Sequence, residues 1–154
     1  MTTILETRWG KPSAVHDPHM LARFAPRPTD VLTTTAPKAG TTWMQQILHQ
    51  LRSGGDEEFG SIFDVVPWIE WPHPTRSRED TLAWFEELPG PRVFKTHCTF
   101  EQTPGVDVVK LVMTSRDPRD CCVSFYHHRM DLSDWVLDRF RFERPDSFES
   151  FFET

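Results

Sequence analysis

The residues whose types and spacing best suit chemistry lie in one short stretch, Thr33-Thr34-Thr35-Ala36-Pro37-Lys38-Ala39-Gly40-Thr41-Thr42-Trp43. There a run of β-branched residues passes through a Pro/Gly turn into a helical pattern. Gly40 tolerates a backbone bend that other residues resist, so the amides of residues 39–42 can converge on one point. The N-terminal end of the following helix, the charge of Lys38 and the hydroxyls of Thr41 and Thr42 all favour an anion at that point. The stretch therefore predicts a phosphate-binding loop rather than an ordinary strand-to-helix turn.

A second pair of chemically useful side chains lies in Arg92-Val93-Phe94-Lys95-Thr96-His97, which reads as a short strand. Side chains alternate along a strand, so Lys95 and His97 are expected to project the same way. An unperturbed histidine has a pKa of about 6.5 and can take a proton at neutral pH. A base beside a cation suits group transfer to a hydroxyl. On its own, a single histidine is more often solvated or simply hydrogen-bonded.

The surrounding patterns predict the elements that must position these residues. Asp30–Thr35 predicts the strand that enters the loop, after a short helical or turn lead-in over Asp17–Phe24. Apolar residues at three- and four-residue spacing predict a helix with one buried stripe formed by Trp43, Met44, Ile47, Leu48 and Leu51. A capping residue, Ser77, predicts a further helix up to Leu88. Asp107–Ser115 is an apolar run of the kind buried in a parallel sheet, and a helix is expected to start at Asp117-Pro118.

Three stretches within residues 33–126 resemble, in the right order, motifs of the soluble sulfotransferases that use 3′-phosphoadenosine 5′-phosphosulfate (PAPS). The loop resembles their Pro-Lys-Ser-Gly-Thr-Thr-Trp, with Ala39 replacing Ser and keeping the backbone amide. Lys95-Thr96-His97 resembles their catalytic segment, although Cys98 stands where Leu is common. Their Arg-x-x-x-Asp-x-x-x-Ser is matched by Arg116, Asp120 and Ser124. The resemblance implies a three-layer α/β fold with a parallel sheet and a P-loop-like nucleotide site at the carboxyl ends of its strands.

The resemblance also implies a role for each matched residue. The residues expected around the 5′-phosphosulfate of PAPS are Lys38, Ala39, Gly40, Thr41 and Thr42. Arg116 and Ser124 are expected to bind the 3′-phosphate, and Trp43 to stack against adenine. His97 is the expected general base, while Lys38 and Lys95 stabilise the oxygen that gains charge as its bond to sulfur breaks. No metal is expected, because sulfate carries less charge than phosphate for a magnesium ion to neutralise. Val66-Pro67-Trp68-Ile69-Glu70 resembles a further family segment, interpreted as packing or as part of the acceptor pocket.

Two other functions stay open. A P-loop kinase needs a Lys directly after the last Gly of its loop, whereas Gly40 here runs straight into Thr41. The sulfotransferase family continues for about as long again, with an Arg-Lys-Gly stretch that nothing here matches. Residues 1–154 are therefore expected to form a single PAPS-binding domain that lacks its C-terminal part, so a catalytically inactive nucleotide-binding fragment is the main alternative. Apolar side chains left uncovered would then favour self-association, foremost those of Phe148, Phe151 and Phe152.

Composition and charge indicate which partners and which cellular compartment to expect. With 154 residues, of which 38% are hydrophobic, the chain can bury one core. A formal net charge of −6 disfavours nucleic acid or an anionic membrane as partner, and the resemblance implies a small-molecule acceptor. Cys98, Cys121 and Cys122 form a poor disulfide framework and show no zinc-site spacing, which fits a reducing compartment. No apolar leader is seen, so a cytoplasmic protein is expected. No metal site is predicted from the polar residues near the N-terminus, His16, Asp17 and His19.

Overall fold

The computed structural model describes residues 4–152, so the expectations about the two chain ends, including the truncation after Thr154, rest partly on residues outside that range. The helices and strands are, in chain order, α1 (Ile4–Trp9), α2 (Pro18–Arg23), β1 (Val31–Thr35), α3 (Thr41–Ser53), α4 (Ile62–Val65), α5 (Arg78–Glu87), β2 (Val93–Thr96), β3 (Lys110–Thr114), α6 (Pro118–Asp131), α7 (Asp134–Phe140) and α8 (Phe148–Phe152).

Strand β1 lies at the centre of a three-stranded parallel sheet with the order β2-β1-β3. Leu32 of β1 is level with Phe94 of β2 and with Leu111 of β3. Because the strands are parallel, their carboxyl ends meet at one edge of the sheet, where ligands bind in open α/β folds. The α/β class and the parallel sheet predicted from the sequence are confirmed.

Helices cover both faces of this sheet. Leu32 and Phe94 belong to a buried apolar cluster to which α2 and α5 contribute Phe24 and Phe85. The Phe24 and Phe85 rings stand edge-on to Phe94, with ring centroids 4.8 and 5.2 Å away. Helix α3 packs against β1 and β2 without joining this cluster, which places it on the opposite face. The sheet therefore lies between two helical layers, as expected.

A buried ion pair fixes the starts of β1 and β2 relative to each other. The Arg92 guanidinium donates to the two carboxylate oxygens of Asp30 over 2.9 and 2.6 Å, and the side chains are 1% and 0% exposed. Arg92 also donates to the Ala25 carbonyl over 2.8 Å and to Glu86 over 2.7 Å. With the Phe85 carbonyl also accepting over 3.2 Å, each of the five N–H donors of the guanidinium has a partner, which is the condition under which a buried charge is tolerated.

Local signals account for the helix boundaries. Asp17, Ser77 and Asp117 are N-caps whose side chains accept backbone N–H groups of α2, α5 and α6. Gly54 has a φ of 75° and ends α3 in the left-handed region. The boundaries predicted around these residues are confirmed. Within residues 4–152 no helix combines the length and the apolar character needed to cross a bilayer.

The prediction that apolar residues form the buried stripe of α3 is wrong. Trp43 and Leu51 are 79% and 77% exposed, whereas the buried positions of this helix are Thr41, Gln45 and His49. These polar positions are four residues apart and form one stripe on the helix. Gln45 is buried because its amide donates to the Val66 carbonyl over 2.9 Å. The inward face of α3 is therefore polar and makes hydrogen bonds to backbone and side chains, and its apolar residues are partly or fully exposed.

The prediction that residues 107–115 form a fully buried strand is also wrong in part. The strand exists as β3, but it pairs only with β1 and stands at the edge of the sheet. Met113 is 70% exposed as a consequence. Helix α6, which follows β3, contributes no buried residue. An apolar run signals burial only if both faces of the strand are covered, and here one is largely open.

Candidate active site

The loop between β1 and α3 has the backbone conformation of an anion cradle. Lys38 and Gly40 both have positive φ, 64° and 90°. Gly40 is the N-cap of α3 and no side chain caps this end, so the first N–H groups of the helix lack an intrahelical acceptor. A Cβ at Gly40 would meet no atom within 4 Å, so the left-handed φ and not crowding requires glycine here.

Contacts on the far side anchor this loop. The Ala39 carbonyl accepts the Thr114 hydroxyl over 2.8 Å, and the Lys38 carbonyl accepts from the Arg116 guanidinium over 3.4 Å. The Ala39 N–H donates to the Ala36 carbonyl over 3.2 Å, so this amide is already paired, unlike the free amide expected from the sequence. The donors that remain available to an anion are accordingly those that start α3.

The two threonines of the loop differ in exposure. The Thr41 side chain is buried and its hydroxyl is hydrogen-bonded to that of Thr35. Thr42 is exposed at the first turn of α3. The Thr35–Thr41 contact ties the end of β1 to the start of the helix, and Thr42 keeps its hydroxyl available to a ligand.

Lys95 is a buried cation held against an aromatic ring. Its ammonium lies 3.8 Å from the centre of the Trp68 ring, and the residue is 7% exposed. Burial lowers the pKa of Lys95 from 10.5 to about 8; the carboxylate of Glu70 opposes this shift and the charge of Lys38 adds to it. Lys95 is therefore mostly charged at neutral pH, within electrostatic reach of the loop lysine.

His97 is held in one tautomer. Its Nδ1 lies 2.7 Å from the Thr35 carbonyl, and since a carbonyl can only accept, Nδ1 carries the proton and Nε2 has a free lone pair. The ring stands edge-on to Trp68 with centroids 5.0 Å apart. Burial, reinforced by the charge of Lys95, lowers the pKa of His97 to about 4. The imidazole is thus neutral at neutral pH, with an acceptor nitrogen directed away from β1.

Glu70 holds the backbone of His97 and was identified in the sequence only as part of a packing or pocket segment. Its Oε1 accepts the His97 N–H over 2.6 Å, and the side chain is 1% exposed. Burial raises the pKa of Glu70. The residues before Glu70 extend along β2. The backbone N–H of Lys95 donates to the Pro67 carbonyl over 2.9 Å, and the backbone carbonyl of Lys95 accepts from the Ile69 N–H over 3.0 Å. The Val-Pro-x-x-Glu spacing therefore places this carboxylate at the end of β2.

Arg116 lies beside the loop, and Ser124 follows it in α6. Arg116 contacts the Lys38 carbonyl, and its Nε lies 3.7 Å from Asp120. Asp120, Ser124 and His128 follow at four-residue spacing on one face of α6. The pKa of His128 is lowered by partial desolvation and then by the charge of Lys38, so this face lies within electrostatic reach of the loop.

An aromatic cavity of about 200 Å³ adjoins the Trp68 ring. Its walls include Phe63, Trp71 and Trp84, and its polar groups include Asp64 and His73. Since Trp68 contacts both Lys95 and His97, the cavity borders the same ring as the two candidate catalytic residues. Lys95 and His97 do not line the cavity themselves, so a molecule in it would reach them only past the Trp68 ring.

The parallel sheet and the uncapped helix after β1 define an α/β protein of the nucleotide-binding, P-loop-like class. A known family, described as the sulfotransferase domain, matches residues 28–154, and the chain belongs to it. Sulfotransferase 1C2 of Homo sapiens is 31% identical over 150 residues, covering 94% of this chain and 48% of that protein. Sulfotransferase 1C2 of Rattus norvegicus is 33% identical over 138 residues, covering 85% and 43%. The chain spans about half the length of these curated relatives.

Solved structures share the fold. Mouse sulfotransferase SULT7A1, complexed with PAP, is similar with a TM-score of 0.62 at 19% identity, over 87% of this chain and 44% of that one. Retinol dehydratase, in complex with androsterone and the inactive cofactor PAP, has a TM-score of 0.65 at 22% identity, over 86% and 47%. The sulfotransferase fold expected from the sequence is confirmed for this portion.

Proposed function

We propose that residues 1–154 form one PAPS-binding unit that carries the transfer half of a sulfotransferase site, moving a sulfuryl group to a hydroxyl or amine of a small molecule. The observation that carries the proposal is the tautomer of His97, whose free Nε2 lies beside Lys95 and the loop after β1. Membership of the sulfotransferase family supports the reaction class. The PAP bound by structural neighbours supports the choice of nucleotide.

PAPS supplies the sulfuryl group in this reaction, and the residues of the chain bind and orient it. The N–H groups that start α3 and the Thr42 hydroxyl hold the 5′-phosphate, with the charge of Lys38 beside them. His97 Nε2 accepts the proton that the acceptor group loses. Lys38 and Lys95 stabilise the oxygen that receives the electron pair of the breaking bond to sulfur.

The low pKa of His97 fits this role once the nucleotide is bound. An anion near Lys95 and His97 favours the protonated form of each, so binding raises both pKa values. The pKa of the imidazole then rises from about 4 towards the neutral range, where a general base is most effective. The imidazole of His97 therefore takes up a proton more readily while PAPS is bound.

The remaining parts of the nucleotide and the acceptor have candidate partners. Arg116 and Ser124 bind the 3′-phosphate in this proposal. The exposed indole of Trp43 stacks against adenine, because its 79% exposure removes the alternative that it is a core residue of α3. The aromatic cavity beside Trp68 receives the acceptor, which favours a small aromatic alcohol, phenol or amine. No step uses a metal.

A second candidate function is a nucleotide-binding module without turnover. It is favoured by the low pKa of His97, about 4 in the free protein, which makes the imidazole a weak base. The two candidates share the phosphate loop and differ in whether His97 and Lys95 act on an acceptor.

Turnover of PAPS with a set of small phenols, followed by nucleotide chromatography, separates the two. Replacement of His97 by Ala should lower turnover by about a hundredfold or more, the usual loss for a general base, while PAP affinity changes little. His127→Ala, an exposed histidine of α6, is the matched control and should retain activity. Tight PAP binding without turnover by the unaltered chain would favour the binding module, and normal turnover of the His97 variant would reject the assigned base.

A further inference from the structure

Three residues from separate parts of the chain converge behind the candidate active site. His16 follows α1, Glu70 ends the segment that extends along β2, and Cys98 follows that strand. One ligand atom from each lies within 4.8 Å of the other two. Imidazole nitrogen, carboxylate oxygen and cysteine sulfur are all common metal ligands in proteins. The three residues are far apart in the sequence and match no metal-binding motif.

Glu70 has a buried oxygen with no hydrogen-bond partner. Oε1 is engaged by the His97 N–H over 2.6 Å, whereas Oε2 is buried without a well-aligned hydrogen bond, although the Trp68 and Thr96 side chains lie near the carboxylate. An unsatisfied buried carboxylate oxygen is costly, so its presence in a tightly packed region calls for a ligand. Oε2 is the oxygen of this carboxylate that remains for a cation.

His16 and Cys98 have the orientation and burial of ligating residues. The His16 Nε2 lies 2.6 Å from the Trp9 carbonyl and therefore donates its proton there, which leaves Nδ1 able to bind a metal. A carbonyl partner of this kind commonly fixes a ligating imidazole. Cys98 is 7% exposed, so its sulfur lies inside the protein close to the other two residues.

We propose that His16, Glu70 and Cys98 form a binding site for a divalent transition metal, with zinc as the ion that this donor set suits best. Zinc takes mixed nitrogen, oxygen and sulfur ligands in a tetrahedral arrangement, and a water molecule completes a site with three protein ligands. The ion joins the segment after α1 to the end of β2, next to the Glu70 contact that holds His97. It acts as a structural link and takes no part in sulfuryl transfer.

Cobalt is the probe for this site, because a thiolate bound to Co²⁺ gives a near-ultraviolet charge-transfer absorption. The full 154-residue chain, freed of metal with a chelator, should develop this band at one equivalent of cobalt. Cys98→Ala should abolish the band, and His16→Ala should weaken binding at least about tenfold. The matched controls are the Cys121→Ala, Cys122→Ala double variant and His19→Ala, which should retain both band and affinity.

Circular dichroism and thermal melting separate ligand loss from misfolding. Zinc should raise the melting temperature of the unaltered chain and of both controls, and leave that of folded Cys98→Ala unchanged. A chain that is unfolded without metal and folds on cobalt addition, with the same band, supports the site equally. The proposal is overturned if cobalt gives no thiolate band, if Cys98→Ala keeps the band, or if the double variant loses it.

Discussion

The two sides of the candidate nucleotide site are built differently. On one side, the β1–β2 pair, its flanking helices and the segment before β2 bury Lys95 and Glu70 and hold His97 by two hydrogen bonds. On the other side, β3 is an edge strand and α6 has no buried residue. Arg116, the main residue of that side, reaches the loop through one long contact of 3.4 Å.

This difference separates two demands on a group-transfer site. Residues that perform bond making and breaking need fixed geometry, and burial with complete hydrogen bonding supplies it. A residue that only binds a phosphate can remain mobile at the surface, since charge attraction tolerates small displacements. The β1–β2 side should therefore lose most when a single contact is removed, and the β3–α6 side should lose least.

The largest effect is expected from Arg92→Met. This change leaves Asp30 buried without its charged partner, which should lower the free energy of unfolding by about 3–5 kcal/mol. Arg144→Met is the matched control, because Arg144 pairs with Asp134 of α7 over 3.0 Å at the surface. Loss of this exposed pair should cost about 1 kcal/mol or less. Urea unfolding measures both, and equal losses would show that burial does not make the Arg92–Asp30 pair more important for stability than an exposed pair.

The sequence predicts the chemistry of the well-buried side better than its packing. The loop, β1, β2 and the pairing of Lys95 with His97 were predicted because each depends on a short, local pattern. The apolar stripe of α3 was assigned inward because apolar spacing was the only signal, whereas the hydrogen bond from Gln45 to the Val66 carbonyl decides the face. The role of Glu70 toward His97 depends on contacts between distant segments, which periodicity does not report.

The edge position of β3 was beyond sequence patterns for a related reason. Residues 107–115 carry the composition of a buried strand, and only the strand order β2-β1-β3 shows that one neighbour is missing. Helix α7 was not predicted although Ser133 caps it, its hydroxyl accepting from the Val136 N–H. Its short length gave too little periodicity to identify.

Lys38→Gln should give the next largest effect, now on ligand binding. Lys38 lies in the loop that we propose holds the 5′-phosphate common to AMP and 3′,5′-phosphoadenosine, so both affinities should fall by a similar factor. A charge-assisted hydrogen bond contributes about 1.5–3 kcal/mol, which corresponds to roughly tenfold or more in affinity. Isothermal titration calorimetry gives both values, and a loss confined to one nucleotide would contradict the position assigned to Lys38.

Arg116→Ala should have a smaller and more selective effect. Its guanidinium is 45% exposed, so its attraction to the 3′-phosphate is partly screened by water. Binding of 3′,5′-phosphoadenosine should weaken by about tenfold or less, and binding of AMP should be unchanged. Arg119→Ala is the control, because Arg119 is 89% exposed and pairs with Asp117. Equal weakening of both nucleotides by Arg116→Ala would remove Arg116 from the 3′-phosphate site.

The smallest effect is the pH dependence that Lys95 should impose on nucleotide binding. Its pKa of about 8 means that the free protein loses this charge as pH rises through that value. A bound anion favours the charged form, so the pKa is higher in the complex. Between the two pKa values the complex holds more protons than the free protein, and affinity must therefore fall as pH rises in that window. The nearby His97, with a pKa of about 4, stays neutral in the free protein throughout it.

Calorimetry of 3′,5′-phosphoadenosine binding from about pH 7 to about pH 9.5 spans this titration and should show a decrease of about threefold or more. Lys95→Met removes the group and should make the affinity lower and nearly independent of pH in the same range. Lys110→Met, an exposed lysine at the start of β3, is the control and should retain the decrease. If Lys95→Met keeps the full decrease, the titrating group lies elsewhere, and the buried side of the site does not control the electrostatics of binding. A decrease lost only in Lys95→Met would show that one buried cation on the β1–β2 side controls this pH dependence, as its position against Trp68 predicts.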